Sequence, residues 1–376
     1  MHFHTIIVGA GSMGMAAGYY LARQGKKVLL IDSHNPPHQD GSHHGETRLI
    51  RHAYGEGEHY VPLALRAQEL WYELEKESGE DLFLQTGVLN IGEKDSSFIR
   101  EVQSSSETYH LPLQTLSAKE ISQKWEGLSL PDHYIGCLET TSGVLFSERI
   151  IQTYRSLAES FGATIKVNSE VVDIDIHKDS ATVYTENESF EADHLIATTG
   201  AWAKKTGEKL NVSLPLTTLR KTFSWFDADD QIYNAAEFPA FTFAISQGTY
   251  YGFPSIHESG VKIGRHDGGR EFQMGRPLKP YGYYREDIGD VSDILEAYFP
   301  HVQSQNTGKT CVYTMTPDGD FIIDQLPQHP NVTIACGFSG HGYKFSSVVG
   351  EILSKMAMNE NVDFDLAPFS IKRFLK

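Results

Sequence analysis

The stretch His4-Thr5-Ile6-Ile7-Val8-Gly9-Ala10-Gly11-Ser12-Met13-Gly14 decides the fold. It opens on a short, apolar, partly β-branched run that reads as a buried strand. The glycines of GAGSMG end the strand, and residues 15–22 follow with apolar side chains at helical spacing. Gln24-Gly25 stops that helix, and Lys27-Val28-Leu29-Leu30-Ile31 makes a second strand closed by Asp32. Strand, helix and strand form a βαβ unit with a right-handed crossover. Gly9 permits the tight turn, Gly11 lets the backbone approach a pyrophosphate, and Gly14 lets helix and strand pack closely. The helix N-terminus offers its free N–H groups to the anion. Asp32 lies 18 residues after Gly14, where a carboxylate accepts hydrogen bonds from ribose hydroxyls and disfavours a 2′-phosphate. The fingerprint points to a dinucleotide and leaves FAD and NAD both open.

Working outward, residues 33–57 are rich in Pro, Gly and His, too polar for core and too varied for a plain linker, and read as a functional loop. Residues 60–79 carry an apolar stripe of Leu63, Ala67, Leu70, Trp71 and Leu74, as in a packed helix. Strands are expected at 87–92, 143–146, 164–167, 171–176, 195–200, 321–324 and 332–337, and helices at 101–108, 117–124 and 150–161. Between 215 and 310, runs such as Thr222-Phe223-Ser224-Trp225-Phe226 and Thr249-Tyr250-Tyr251-Gly252-Phe253 alternate like an antiparallel sheet. The expected fold is α/β: a discontinuous Rossmann-like nucleotide domain (1–80, 145–214 and 311–376) and an α+β substrate domain with a mainly antiparallel sheet (81–144 and 215–310).

Composition bounds the partners. Asp plus Glu number 49 against 32 Lys plus Arg, a formal charge of −17 over 376 residues, so a nucleic-acid backbone would meet net repulsion. An anionic small substrate needs a local cationic pocket. Cys137, Cys311 and Cys336 are isolated thiols, which suits a reducing, cytoplasmic setting and excludes a disulfide framework or thiolate zinc cluster. No stretch approaches the roughly 18 apolar residues of a membrane span. His34, His38, His43, His44 and His52 lack the paired spacing of a metal site, so no metal is expected. Asp318, Asp320 and Asp324 lack the Gly and terminal Glu of a calcium loop and are read as turn residues near the cofactor.

In order along the chain, GAGSMGMAAGYY, GSHHGETRLIRHAYGEG (41–57), SGVLFSE from Ser142, YYGFP from Tyr250 and GFSGHGYKFSS from Gly337 resemble the flavin-dependent amine oxidases typified by monomeric sarcosine oxidase and N-methyl-L-tryptophan oxidase. The resemblance spans essentially the whole chain. It implies FAD, covalently attached through its 8α-methyl to Cys311 in the string CVYT, and adds Ser42, Val171 and Gly340 to Gly9, Gly11, Gly14 and Asp32 as cofactor contacts. It implies that Arg51 and Lys344 clamp the substrate carboxylate, for which a planar guanidinium and an ammonium are chemically suited. Lys262 is implied to sit near flavin N5 and aid oxygen activation, Arg48 to compensate charge on the reduced ring, and His44, Tyr251 and His266 to shape the substrate pocket.

The activity so implied is oxidation of a small N-methyl amino acid by O2, with no membrane or nucleic-acid partner, in a monomer. Thr242 stands where sarcosine oxidases present Met, a departure resembling the tryptophan branch, while other strings lean to sarcosine oxidase; the substrate stays open between them. Alternatives are an oxidase of another secondary or cyclic amino acid, or a non-catalytic FAD-binding protein.

Overall fold

The computed structural model describes residues 2–55 and 57–375, so of the 41–57 string all but Glu56 is described. Strand His2–Val8, helix Ser12–Arg23 and strand Val28–Ile31 form the βαβ unit expected from the sequence. The two strands are almost wholly buried, as parallel strands covered on both faces are. Gly9 holds φ at +95°, and a Cβ there would lie 2.5 Å from the Thr198 carbonyl oxygen. At Gly14 a Cβ would lie 2.0 Å from the Gly9 oxygen; here glycine is required by contact, as its place in the fingerprint predicted.

Around this unit runs an eight-stranded sheet. Its parallel part is ordered Thr164–Lys166, Val28–Ile31, His2–Val8, Ser189–Ala197 and His329–Cys336, with Ile322–Leu326 antiparallel at the edge. Strand Ser189–Ala197 changes partners along its length. Residues 189–192 pair with Ala181–Thr185, and residues 195–197 pair with His329–Cys336. Helix Ser12–Arg23 packs against helices Ser147–Ser160 and Ser346–Ala357. The second contact is close because Gly350 has no side chain: a Cβ there would be 2.5 Å from Ala16 Cβ.

A nine-stranded sheet runs Arg270–Glu271, Thr217–Ala228, Val261–Arg265, Gly248–Phe253, Ala240–Ile245, Val88–Glu93, Tyr134–Glu139 and Leu113–Ser117, with Val302–Met315 along the other side of Thr217–Ala228. Every pairing is antiparallel except Ala240–Ile245 with Val88–Glu93. A small sheet of Thr47–Ile50, Gly143–Phe146 and Phe83–Leu84 lies between these segments in the chain. Among the described residues, no helix is long and apolar enough to cross a membrane.

Candidate active site

A cavity of about 650 Å³ is lined from the glycine turn to strand Gly248–Phe253. At one end stand Gly9, Gly11, Ser12 and Met13, the turn and first residues of helix Ser12–Arg23, with Asp32 and Val171. Asp32 is nearly buried and is fixed by the Ala10 N–H donating to Oδ2 at 2.7 Å and the His34 N–H to Oδ1 at 2.8 Å. Gly11 differs from its neighbours: a Cβ there would meet nothing nearer than His43 Nδ1 at 3.9 Å. Its bare backbone therefore answers no packing need of the protein and leaves open the approach a pyrophosphate uses. The geometry fits a dinucleotide.

The loop before strand Thr47–Ile50 forms the middle of the cavity. Arg48 ties it, donating to the carbonyls of Thr47 at 2.7 Å and of Ser42 and His44 at 2.8 Å each. The Ser42 hydroxyl donates to the Val312 carbonyl at 2.8 Å, docking the loop beside Cys311. Cys311 is buried in strand Val302–Met315 opposite Lys221. Burial raises its pKa, while Arg48, Lys221 and Lys262 pull it down. Burial also lowers Lys221, to about 8.

Beyond the loop lie Arg51 and Lys344, both buried, on the same cavity wall. Both cations approach the ring of Tyr54, at 4.8 Å and 4.9 Å from its centroid, and Arg51 also faces Phe98 at 5.6 Å. Gly340, Tyr251, His266 and Thr242 complete this end. Burial pushes the Tyr251 phenol up to about 12, so it keeps its proton at neutral pH. The Thr242 hydroxyl donates to Asn90 Oδ1 at 2.9 Å, and Asn90 Nδ2 donates to Glu139 Oε1 at 2.8 Å. Glu139, buried, accepts from the N–H groups of His52 and Ala53 at 2.7 and 2.9 Å. This network anchors the backbone immediately after Arg51.

Lys262 and His44 are absent from the lining of this cavity. Lys262 borders a second cavity of about 390 Å³ with Thr47, Trp225 and Phe253. Its ammonium donates to Gly45 O, to Thr47 O at 3.2 Å and to Thr47 Oγ1 at 2.9 Å, and lies 4.7 to 5.2 Å from the rings of Phe253, Phe223 and Trp225. Burial, then Arg48, lowers its pKa well below the usual range. His44 is buried against Phe223, and neither ring nitrogen has a hydrogen-bond partner among the described residues.

Burial lowers His44 to about 4. Between pH 4 and the ordinary 6.5 the unfolded chain binds a proton that the folded chain refuses, so stability is present above 6.5 and is lost as pH falls toward 4. The cost is on the order of 3 kcal/mol. His44→Gln is expected to flatten the fall of the thermal midpoint across this window, which thermal unfolding at a series of pH values measures. His43, lowered to about 3 mainly by burial, has the same sign and remains in the variant.

The main cavity thus gathers Gly9, Gly11, Asp32, Ser42, Arg48, Arg51, Val171, Thr242, Tyr251, His266, Cys311, Gly340 and Lys344. Gly14 packs behind it, and Lys262 and His44 stand apart from its lining. The aspartates correct one expectation: Asp318, Asp320 and Asp324 line neither cavity. They hold the C-terminal segment and Tyr60: Arg373 pairs with Asp318, Ser370 Oγ donates to Asp324 at 2.6 Å, and Tyr60 Oη donates to Asp320 at 2.8 Å. Asp32, His34 and His38 place one donor atom each within 4.8 Å of one another, at the end of the cavity where two N–H groups already engage Asp32. Tyr54, Asn90, Phe98 and Glu139 went unread in the sequence; only the Tyr54 position, inside the 41–57 string, carried a signal.

A model of the FAD-dependent oxidoreductase family matches residues 4–356. The chain is 48% identical over 375 residues to the monomeric sarcosine oxidase of Bacillus sp. (strain NS-129), covering 99% of this chain and 97% of that one. It is 42% identical over 375 residues to the N-methyl-L-tryptophan oxidase of Yersinia pestis (strain Pestoides F), covering the whole of both. Among solved structures, NikD, an unusual amino acid oxidase essential for nikkomycin biosynthesis, superposes with a TM-score of 0.87 at 19% identity, covering 98% and 97% of the two chains. That likeness shows the fold.

Proposed function

Since the chain belongs to the FAD-dependent oxidoreductases, as an oxidase of the sarcosine oxidase and N-methyl-L-tryptophan oxidase type acting on CH–NH bonds, we propose that it demethylates N-methyl amino acids. With O2 and water the products are the primary amino acid, formaldehyde and hydrogen peroxide. The observation that carries this reading is the convergence of two buried cations, Arg51 and Lys344, in the cavity that begins at the dinucleotide turn. A protein of net charge −17 that buries a cation pair in one cavity is built to take a small anion.

The glycine turn, Asp32, Ser42, Val171 and Gly340 would hold FAD, with Cys311 as its covalent attachment. When bound, FAD supplies the two-electron acceptor for the C–H bond beside nitrogen and a route for those electrons to O2. The chain's own residues do the rest. Arg51 and Lys344 bind the carboxylate and so fix which carbon faces the middle of the cavity. Tyr251, protonated, and His266 border the amine. Lys262 places a cation on the other side, where charge develops on oxygen. In this division of labour the eight-stranded sheet supplies the glycine turn and Asp32, the nine-stranded sheet supplies Cys311 together with Thr242, Tyr251 and Lys262, and the protein works as a monomer.

The test is a visible spectrum of the purified protein before and after acid precipitation, then anaerobic addition of sarcosine and, separately, N-methyl-L-tryptophan. Yellow colour that stays in the pellet and bleaches with one amine supports the reading and selects the substrate. Bleaching with neither would move the substrate to other secondary or cyclic amino acids.

A further inference from the structure

Asn90 is wholly buried and lies behind the main cavity, outside its lining. It stands in a row of directly opposed residues on neighbouring strands, Cys137, Asn90, Thr242 and Tyr251, whose side chains share one face of the nine-stranded sheet. Two members of the row, Thr242 and Tyr251, line the cavity. The Tyr251 ring lies over Gly264 on the next strand, where a Cβ would stand 2.6 Å from its Oη. It thus leans away from Thr242 and leaves that residue as the wall.

The hydrogen bonds of Asn90 run in one sense only. Its Nδ2 lies 3.3 Å from the Cys137 carbonyl oxygen and 2.8 Å from Glu139 Oε1, and a carbonyl oxygen only accepts. Oδ1 is therefore the atom turned to Thr242, 2.9 Å from Oγ1. An amide oxygen also only accepts, so the Thr242 hydroxyl is the donor. A hydroxyl has a single proton, and here it is directed at a residue behind the wall. Glu139 is itself held in place, its other oxygen accepting from the N–H groups of His52 and Ala53 and from the Ser142 hydroxyl at 2.7, 2.9 and 2.9 Å.

We infer that Asn90 is a positioning residue for substrate selection: by drawing the Thr242 hydroxyl out of the cavity, it leaves a wall that meets the substrate with carbon and has no proton to donate. The inference rests on the proposed reading that this cavity holds the amine substrate. The group that fits against Thr242 is then an apolar part of the amino acid. An oxygen acceptor placed there would be buried without a donor, which a site rejects strongly. The wall so turns the carboxylate away from itself and toward Arg51 and Lys344.

The experiment uses the flavin-loaded protein and steady-state kinetics on whichever secondary amine bleaches the parent. Asn90→Leu removes the acceptor, so the Thr242 hydroxyl turns into the cavity as a buried donor without a partner. KM is expected to rise by about 10-fold while kcat stays within about two-fold. Adding Thr242→Val to Asn90→Leu removes that hydroxyl and is expected to bring KM back to within about three-fold of the parent, a rescue that a merely structural role for Asn90 does not give. Two single variants decide the matter should Asn90→Leu fail to fold. Thr242→Ser keeps the bond to Asn90 and loses the methyl group, and its KM is expected to rise by about four-fold. Thr242→Val keeps the branched carbon shape and loses the hydroxyl, and is expected to raise KM by less than Thr242→Ser. The reverse order would show that the hydroxyl serves the substrate and would overturn the inference. So would a parental KM in every variant, or a double variant no better than Asn90→Leu. If the amine that bleaches the parent carries no N-methyl group, the proposed demethylation fails while the same comparisons still decide the inference. A parent bleached by no secondary amine would sink the reading of the cavity and this inference with it.

Discussion

Replacing Lys262 by Met is expected to leave anaerobic bleaching by substrate within a few-fold of the parent, while the return of yellow colour on mixing with O2 slows by roughly 10²- to 10³-fold. The separation of the two effects follows from geometry. The proposed carboxylate site, Arg51 and Lys344, lies in the main cavity, whereas Lys262 borders the second, against Thr47, Trp225 and Phe253. Its three oxygen acceptors and three aromatic faces favour the ammonium, which has three donors and no lone pair. Burial and Arg48 act the other way and lower its pKa well below the usual range. The sign of the pH effect follows: the cation is present at low pH and lost as pH rises through that lowered pKa, so reoxidation slows on alkalinisation earlier than an exposed lysine would allow. Stopped-flow mixing of the reduced protein with O2, from neutral to alkaline pH, measures both effects. Normal reoxidation in Lys262→Met would remove this lysine from the oxygen reaction.

Cys311→Ser is expected to abolish acid-stable flavin, with all yellow colour passing to the supernatant on precipitation. The three thiols are all buried, and they differ in what surrounds them. Burial pushes Cys137 up to about 11 and Cys336 up to about 12, as for inert core thiols. Cys311 alone of the three lines the cavity and has Arg48, Lys221 and Lys262 opposing the effect of burial. These cations stabilise a thiolate, the form in which cysteine makes a bond to carbon. Cys137→Ser and Cys336→Ser are the controls, each expected to keep colour in the pellet. Retention of colour by Cys311→Ser would place the attachment, if one exists, elsewhere.

The nucleotide half was legible because its signals are local. The run from His4 to Asp32 specifies strand, turn, helix and strand by period and by glycine, and the contacts at Gly9 and Gly14 show why no larger residue would do. The alternation in 222–226 and 249–253 gave the antiparallel sheet for the same reason. Where local signals were overlooked, boundaries moved: helix Ser97–Thr108 starts before the expected 101 because Ser96 caps it, its hydroxyl accepting from the Ile99 N–H at 3.3 Å. Arg51 and Lys344, which line the cavity together, were singled out only through resemblance, since neither sits in a pattern that periodicity interprets. Of the side chains that anchor the backbone after Arg51, only Thr242 was singled out in the sequence, through resemblance and not for this contact. Asn90, Glu139 and Thr242 meet across 152 residues of chain, and a buried carboxylate satisfied by backbone N–H groups leaves no mark in sequence. The aspartates at 318, 320 and 324 misled for the converse reason: Asp318 and Asp320 flank a bend while Asp324 lies inside strand Ile322–Leu326, and spacing does not say what any of them faces.

The helix that opens the cofactor cradle is the first in the chain, yet it is packed against Ser346–Ala357, near the far end. Strand His2–Val8 likewise pairs with Ser189–Ala197, and that strand with His329–Cys336. During synthesis the glycine turn emerges before the neighbours it packs against. Contacts of such long sequence separation close slowly, and until they close, the apolar faces of the first strand and helix stay exposed to aggregation. Cofactor capture therefore waits on Ser346–Ala357, and a chain interrupted before residue 346 would carry the fingerprint without the means to use it.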